Sequence, residues 1–121
     1  MPRRSLFPLL LLAALAAGGC DDFGCNSEIV HVVRSPAKRY NAVTFLRGCG
    51  ASTADATEVS VLKRWAPLHG EGNVFITDAD PEQVRVYWVG EARLRISYPA
   101  TARVLRRATQ LGEVTIEYGV R

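Results

Sequence analysis

Along most of the chain, apolar and polar residues alternate with a period of two, the spacing of a strand that buries one face. Glu28 to Val33 is a compact, β-branched run followed by Ser35-Pro36, which predicts a first strand. Lys38 to Arg47 carries Tyr40, Ala42, Thr44 and Leu46 on one face and Asn41, Val43 and Phe45 on the other. Apolar residues on both faces predict an interior strand. The small residues from Gly48 to Ala54 predict a loop too poor in large side chains to enter a core. Val59 and Val61 alternate through the strand expected over Glu58 to Trp65, which Pro67 and His69-Gly70-Glu71-Gly72 break. Asn73 to Thr77 restarts as a strand, and Asp78 to Pro81 reads as a turn.

Two further strands, Gln83 to Val89 and Arg93 to Tyr98, form the clearest pair. A two-residue Gly90-Glu91 turn would set Trp88 against Arg93 and Val86 against Arg95. A one-residue slip moves every side chain to the other face, so a three-residue or bulged connection is expected, with Trp88 opposite Leu94 and Val86 opposite Ile96. Between Pro99 and Leu111 the residues Val104, Leu105, Ala108 and Leu111 follow a helical spacing, with Thr101 as a cap and Gly112 as a stop. A short helix near 101–111, or an irregular crossover, is expected there. Val114, Ile116 and Tyr118 alternate along a last strand, Glu113 to Val120. The pattern therefore predicts a mainly β protein, an antiparallel meander or small sandwich of six to seven strands.

The N-terminus breaks this pattern. Arg3 and Arg4 precede an apolar run from Leu6 to Ala17, interrupted only by Pro8 and closed by Ala16-Ala17-Gly18-Gly19. A basic end, a short apolar stretch and small residues are the three parts of a secretory leader. The run is shorter than the roughly 20 residues of a membrane-spanning helix. Removing residues 1–19 of 121 leaves 102, enough for one core, with 20–27 as a tether and 28–121 as a single β domain. The 15 basic residues fall to 13 against 12 acidic ones, so the formal charge drops from +3 to +1. Such a balance speaks against a nucleic-acid partner, which requires a strongly basic stripe.

The Gly19-Cys20 junction resembles a bacterial lipobox, in which the cysteine is acylated and the chain is cut just before it. Ala17 stands where that pattern prefers Leu, and an ordinary leader cut between Ala14 and Gly19, with Cys20 free or paired, is the alternative. Acylation at Cys20 would attach the protein to a membrane. It would also leave Cys25 and Cys49 as the one remaining pair, in a compartment that permits disulfides. Asp21 resembles the signal that retains lipoproteins at the inner membrane, so its periplasmic face is expected, with the outer membrane as the alternative.

Few residues invite chemistry. His31, His69, Cys25 and Cys49 lack the spacing of a metal site, and no metal or cofactor is expected. Asp78-Ala79-Asp80-Pro81-Glu82 begins like a calcium loop but has Gln83 where glycine is needed and Val89 where the bidentate glutamate is needed. Gly50 to Ala54 is one residue away from a nucleophile elbow without its strand-to-helix setting. A small envelope hydrolase using the Cys49–Thr53 loop is the enzymatic alternative; it would need a base near Ser52, whereas Cys49 as nucleophile with His31 or His69 as base would need a free thiolate. Trp88 falls at a core position. Trp65, at a strand end beside Arg64, reads either as a capping core aromatic or as a partner contact, since Trp and Arg concentrate at interface hot spots. Arg85, Arg93 and Arg95 share the polar face of one hairpin. They form either a strip for weak contact with anionic lipid or cell-wall polymer or a solvated face with local salt bridges.

The residues Ser35-Pro36, Lys38, Tyr40, Ala42-Val43, Phe45, Arg47 and Cys49-Gly50-Ala51-Ser52-Thr53 form the first part of a wider pattern. Val59-Ser60-Val61-Leu62, Gly72-Asn73-Val74-Phe75-Ile76, Val86-x-Trp88 and Leu94-x-Ile96-x-Tyr98 continue it. Together they resemble a family of small bacterial envelope proteins of unknown function, over roughly Ser35 to Tyr118. Ala37 departs from the pattern where Asp-Gly is usual, so the first turn lacks its best residues. The resemblance implies an exported β domain and supplies no activity. A lipid-anchored, extracytoplasmic domain that acts by binding an envelope protein or cell-wall partner or by structural association in the envelope, and is not an enzyme, is the expectation.

Overall fold

The computed structural model describes residues 24–50 and 54–121. The leader, Cys20, most of the tether and the Ala51-Ser52-Thr53 stretch lie outside the described residues. Among the described residues nine strands form two sheets, so the protein is mainly β, as the alternation predicts. β1 (Asn26–Arg34), β2 (Tyr40–Gly48), β3 (Ala56–Lys63), β4 (Phe75–Thr77) and β7 (Val104–Arg107) form one sheet in the order β1-β2-β3-β4-β7. β5 (Arg85–Gly90), β6 (Arg93–Tyr98), β8 (Gln110–Leu111) and β9 (Val114–Val120) form the other, in the order β5-β6-β9-β8. The single helical turn among the described residues is a 3-10 turn at Pro81–Gln83.

One core joins the two sheets. Ala42, Val59, Val61 and Phe75 from the first meet Leu94, Ile96, Val114 and Ile116 from the second, and all are buried. Phe75 is the hinge of this packing. Its ring lies 5.2 Å from that of Tyr98 and 5.6 Å from that of Tyr118. Tyr118 in turn shares its hydroxyl proton between Ala108 O, at 2.6 Å, and Val74 O, at 3.2 Å. Burial pushes the Tyr118 phenol up to about 12.

β2 is interior, with Ala42 to Phe45 buried on both faces between β1 and β3. The β5–β6 hairpin pairs Trp88 with Leu94 and Val86 with Ile96 across an irregularity between Trp88 and Gly90. That is the bulged connection the apolar pattern requires.

Three expectations are corrected. The segment 101–111 is not helical: it forms β7 and β8, which accounts for nine strands. The reason is tertiary, because β4 is wholly buried and its outer backbone edge needs a partner. Phe75 and Ile76 pair with Arg107 and Arg106, and Ala108 N–H donates to Val74 O. Leu105, placed on the apolar face of the expected helix, is exposed. The sheets are not a simple meander, since β6 and β9 run parallel. Strand β1 also starts at Asn26, inside the segment expected to be tether.

The sandwich has two unlike ends. At one, Cys25 and Cys49 form a disulfide across the open base of the β1–β2 hairpin. At the other lie the β1–β2 turn, the end of β3, and the β5–β6 and β8–β9 turns. Glu91 ties two of these turns together, accepting from Ser35 Oγ at 2.8 Å and from Ala37 N–H at 2.5 Å. Burial alone would raise the Glu91 carboxyl, but these hydrogen bonds outweigh it and hold the group below its ordinary value.

Candidate functional site

The turn end carries the most concentrated chemistry. Its geometry starts from the β1–β2 turn, where Lys38 N–H donates to Ser35 O at 2.8 Å and Ser35 N–H to Tyr40 O at 3.0 Å. Closing so tightly puts Lys38 at φ 64, the one non-glycine residue in the left-handed region among the described residues. That conformation costs a side-chain-bearing residue about 1–2 kcal/mol. A lysine here occupies a place that a glycine would fill without strain.

Beyond the turn, Arg64 N–H donates to Arg39 O at 3.0 Å, and Ala66 N–H to Lys63 O at 2.9 Å. The chain turns there and leaves Trp65 75% exposed. Lys38, Arg39, Lys63 and Arg64 surround Tyr40 and Trp65 in an open cleft of about 300 Å³. It shares Arg39, Tyr40 and Lys63 as lining with a second cleft of about 540 Å³, whose other walls come from both sheets. Val61, Leu111 and Val114 line that second cleft, and Glu113 stands on its rim. Arg39 Nη2 donates to Glu113 Oε1 at 2.7 Å, and the Tyr40 hydroxyl donates to the same oxygen. The hydrogen bond to Glu113, then burial and the Glu113 charge, push the Tyr40 phenol up.

Trp65 and Arg64, singled out from the sequence, are therefore together at this end, and Trp65 is not a capping core aromatic. Arg85, Arg93 and Arg95 stand apart from the cleft, exposed on the outward face of β5–β6. Arg93 is paired with Glu117, and its guanidinium holds the Glu117 carboxyl below the ordinary range. Arg93 thus takes part in a local salt bridge, while Arg85 and Arg95 are exposed beside it on the same face. Trp88 is half-buried against the core, and its Nε1–H donates to Val33 O at 2.9 Å. His31 lies exposed on β1. Among the described residues no three His, Cys, Asp or Glu side chains gather as a metal site would require.

Sequence reasoning missed Lys38, Arg39, Tyr40, Lys63 and Glu113. Lys63 had a readable signal: it continues the series Val59, Val61, whose members face the core. A charged residue at such a position marks either a strand end or a site.

At the disulfide end, Cys49 is bonded to Cys25 and so presents no thiolate, which Cys49 would need as a nucleophile; Ser52 of the same loop lies outside the described residues. Nearby, Glu58 is the buried acid among the described residues, 4% exposed. Its Oε1 accepts from Gly72 N–H at 2.6 Å, and Arg106 Nη1 donates to Gly72 O, also at 2.6 Å. Gly72 is closed in so tightly that a Cβ would come within 2.8 Å of Phe75 O and 2.9 Å of Val59 O. Burial raises the Glu58 carboxyl despite the lowering effects of the Gly72 bond and of Arg47 and Arg106. A folded carboxyl above its ordinary value of 4.5 keeps its proton longer than the unfolded chain does. Stability from this group is thus complete below that value and declines as pH rises from it to the folded value. Glu58→Gln, which keeps an acceptor for Gly72, is expected to remove the decline. Urea unfolding of both proteins at pH 4 and pH 7 checks this. A gap between them that fails to grow in favour of glutamine at the higher pH would refute it.

No helix among the described residues is long and apolar enough to cross a membrane. Comparison with known protein families, with curated proteins and with solved structures finds no match to this chain.

Proposed function

We propose that the protein is a lipid-anchored, extracytoplasmic β domain of a bacterial envelope that acts by binding and not by catalysis. Cys20 carries the lipid, the periplasmic face of the inner membrane is the location, and the Trp65 end is the binding surface. The observation that supports this most directly is Trp65 itself, exposed beside Lys63 and Arg64 and facing Lys38 and Arg39. An indole left in water in a ring of cations gives the fold nothing, whereas Trp and Arg are the residues that carry interface energy.

Placement supports the same reading. β1 spans nine residues, so at roughly 3.3 Å per residue the chain entering at Cys25 lies on the order of 30 Å from the turn end. A domain tethered through Cys20 thus turns its cationic, aromatic end away from its own anchor, toward the aqueous space. Two or three acyl chains, as the lipobox resemblance implies, give stable attachment where one alone is marginal.

Crosslinking pull-down from native membranes tests the reading, with wild type compared to Trp65→Ala. The exposed substitution is expected to change stability by no more than about 0.5 kcal/mol, yet to weaken capture of the partner at least about tenfold, the scale of a hot spot. Identical capture by both proteins, or no partner at all, would defeat it. The mass of the mature N-terminus tests the anchor separately: Cys20 without acyl mass removes that part of the proposal.

A further inference from the structure

We propose that the cleft between the end of β3 and the β8–β9 turn binds an anionic amphiphile. Its apolar part would lie on Leu111 and the Tyr40 ring, over the buried Val61 and Val114, and its anionic group would meet Lys63 and Arg39. This rests on the reading of the turn end as a binding surface and adds the chemical class of the ligand.

The alternation of β3 makes the case. Val59, Val61 and Lys63 share the face that looks into the sandwich, and the first two are core. Lys63 ends the series on the rim of the cleft, and no acid pairs with its ammonium among the described residues. A lysine stem over an apolar wall is common by itself. Here, however, the wall is one side of a cleft of about 540 Å³, whose floor also holds Leu111 and Val114. That volume falls within the roughly 300–1,000 Å³ of small-molecule sites, which are mostly apolar with a few converging polar groups.

The rim selects the charge. Lys63 and Arg39 stand against the single acid Glu113, which already accepts from Arg39 and Tyr40. A neutral apolar ligand would use the floor and ignore the cations. A hydrophilic anion would use the cations and gain nothing from Leu111 or the Tyr40 ring. A ligand with an apolar body and a carboxylate or phosphate head uses both, and its head competes with Glu113 for the Arg39 guanidinium, whose fork matches either group.

Calorimetric titration of the purified full chain with decanoate, decyl phosphate, decyltrimethylammonium and inorganic phosphate is the test. Both anionic amphiphiles are expected to bind one to one, with the cationic amphiphile and inorganic phosphate each weaker by at least about tenfold, the scale of a charge-assisted hydrogen bond. Lys63→Met is expected to weaken the anionic amphiphiles by a similar factor of about ten, while Lys63→Arg retains them. Glu113→Gln is expected to tighten them, because Arg39 is released. Decyl phosphate binding above decanoate would identify a phospholipid-type source, and the reverse order a fatty acid. Equal affinity for anionic and cationic amphiphiles would overturn the proposal, as would Lys63→Met and Glu113→Gln variants that bind like wild type. Loss of amphiphile binding alongside intact Trp65-dependent capture would sink this inference and leave the binding function standing. The opposite pair of results would do the reverse.

Discussion

Phe75→Ala is expected to lower the unfolding free energy by about 3–5 kcal/mol, the range for removing a large aromatic from a core that cannot collapse around the void. The site offers little room for collapse. Phe75 is fully buried on a strand of three residues that is paired on both sides, with β3 and β7. Its ring also contacts Tyr98 and Tyr118, which belong to the other sheet. The substitution thus removes a bridge between sheets as well as volume. Urea unfolding with the slope held common is the measurement, with Phe75→Leu as a milder control. A loss below about 1 kcal/mol, typical of an average substitution, would show that the aromatic cluster is not the centre of the core.

Replacing Cys25 and Cys49 together by serine is expected to cost roughly 3 kcal/mol, from the loop-closure entropy of a bridge between residues 24 apart. The effect should concentrate on β1. That strand is an edge, its side chains are largely exposed, and Ile29, Val30 and Val32 lie in solvent. With so little burial, β1 depends on its ladder to β2 and on the bridge at the hairpin's base. Amide exchange should therefore accelerate across Asn26 to Val32 in the double variant, while β6 and β9 keep their protection relative to the global transition. Uniform acceleration, or an unchanged β1, would contradict this assignment.

How much of this was legible in the chain depended on distance. The β5–β6 register could be read because only one alignment sets Trp88 and Val86 against Leu94 and Ile96, and those residues are neighbours in sequence. The interior place of β2 could be read because both of its faces are apolar. The β7 segment misled because Val104, Leu105, Ala108 and Leu111 follow a helical period, and β4, which decides the matter, lies some 30 residues earlier. The parallel pairing of β6 with β9 left no local mark at all.

The same contrast holds at the candidate site. Trp65 could be flagged because it follows a strand and precedes a proline. Arg39 and Glu113 are 74 positions apart, and each is an ordinary surface residue until the fold joins them. Lys63 lay between, visible in the alternation of β3 yet easily taken for the polar end of a strand.

The position of β9 also constrains the order in which the protein can assemble. Its seven residues, Val114–Val120, lie between β6 and β8 within their sheet, and they supply Ile116 and Val114 to the core. A growing or translocating chain that has not yet released these residues has only the β5–β6 hairpin to cover one side of that core. Such an intermediate leaves Phe75, Leu94 and Ile96 without their partners, so cooperative folding must wait until the chain is available through Val120. Because β6 pairs with β9 across two intervening strands, closing that contact late also carries the loop-closure cost of a non-local sheet. The second sheet therefore closes only once the last strand arrives, a delay that would suit the export proposed above.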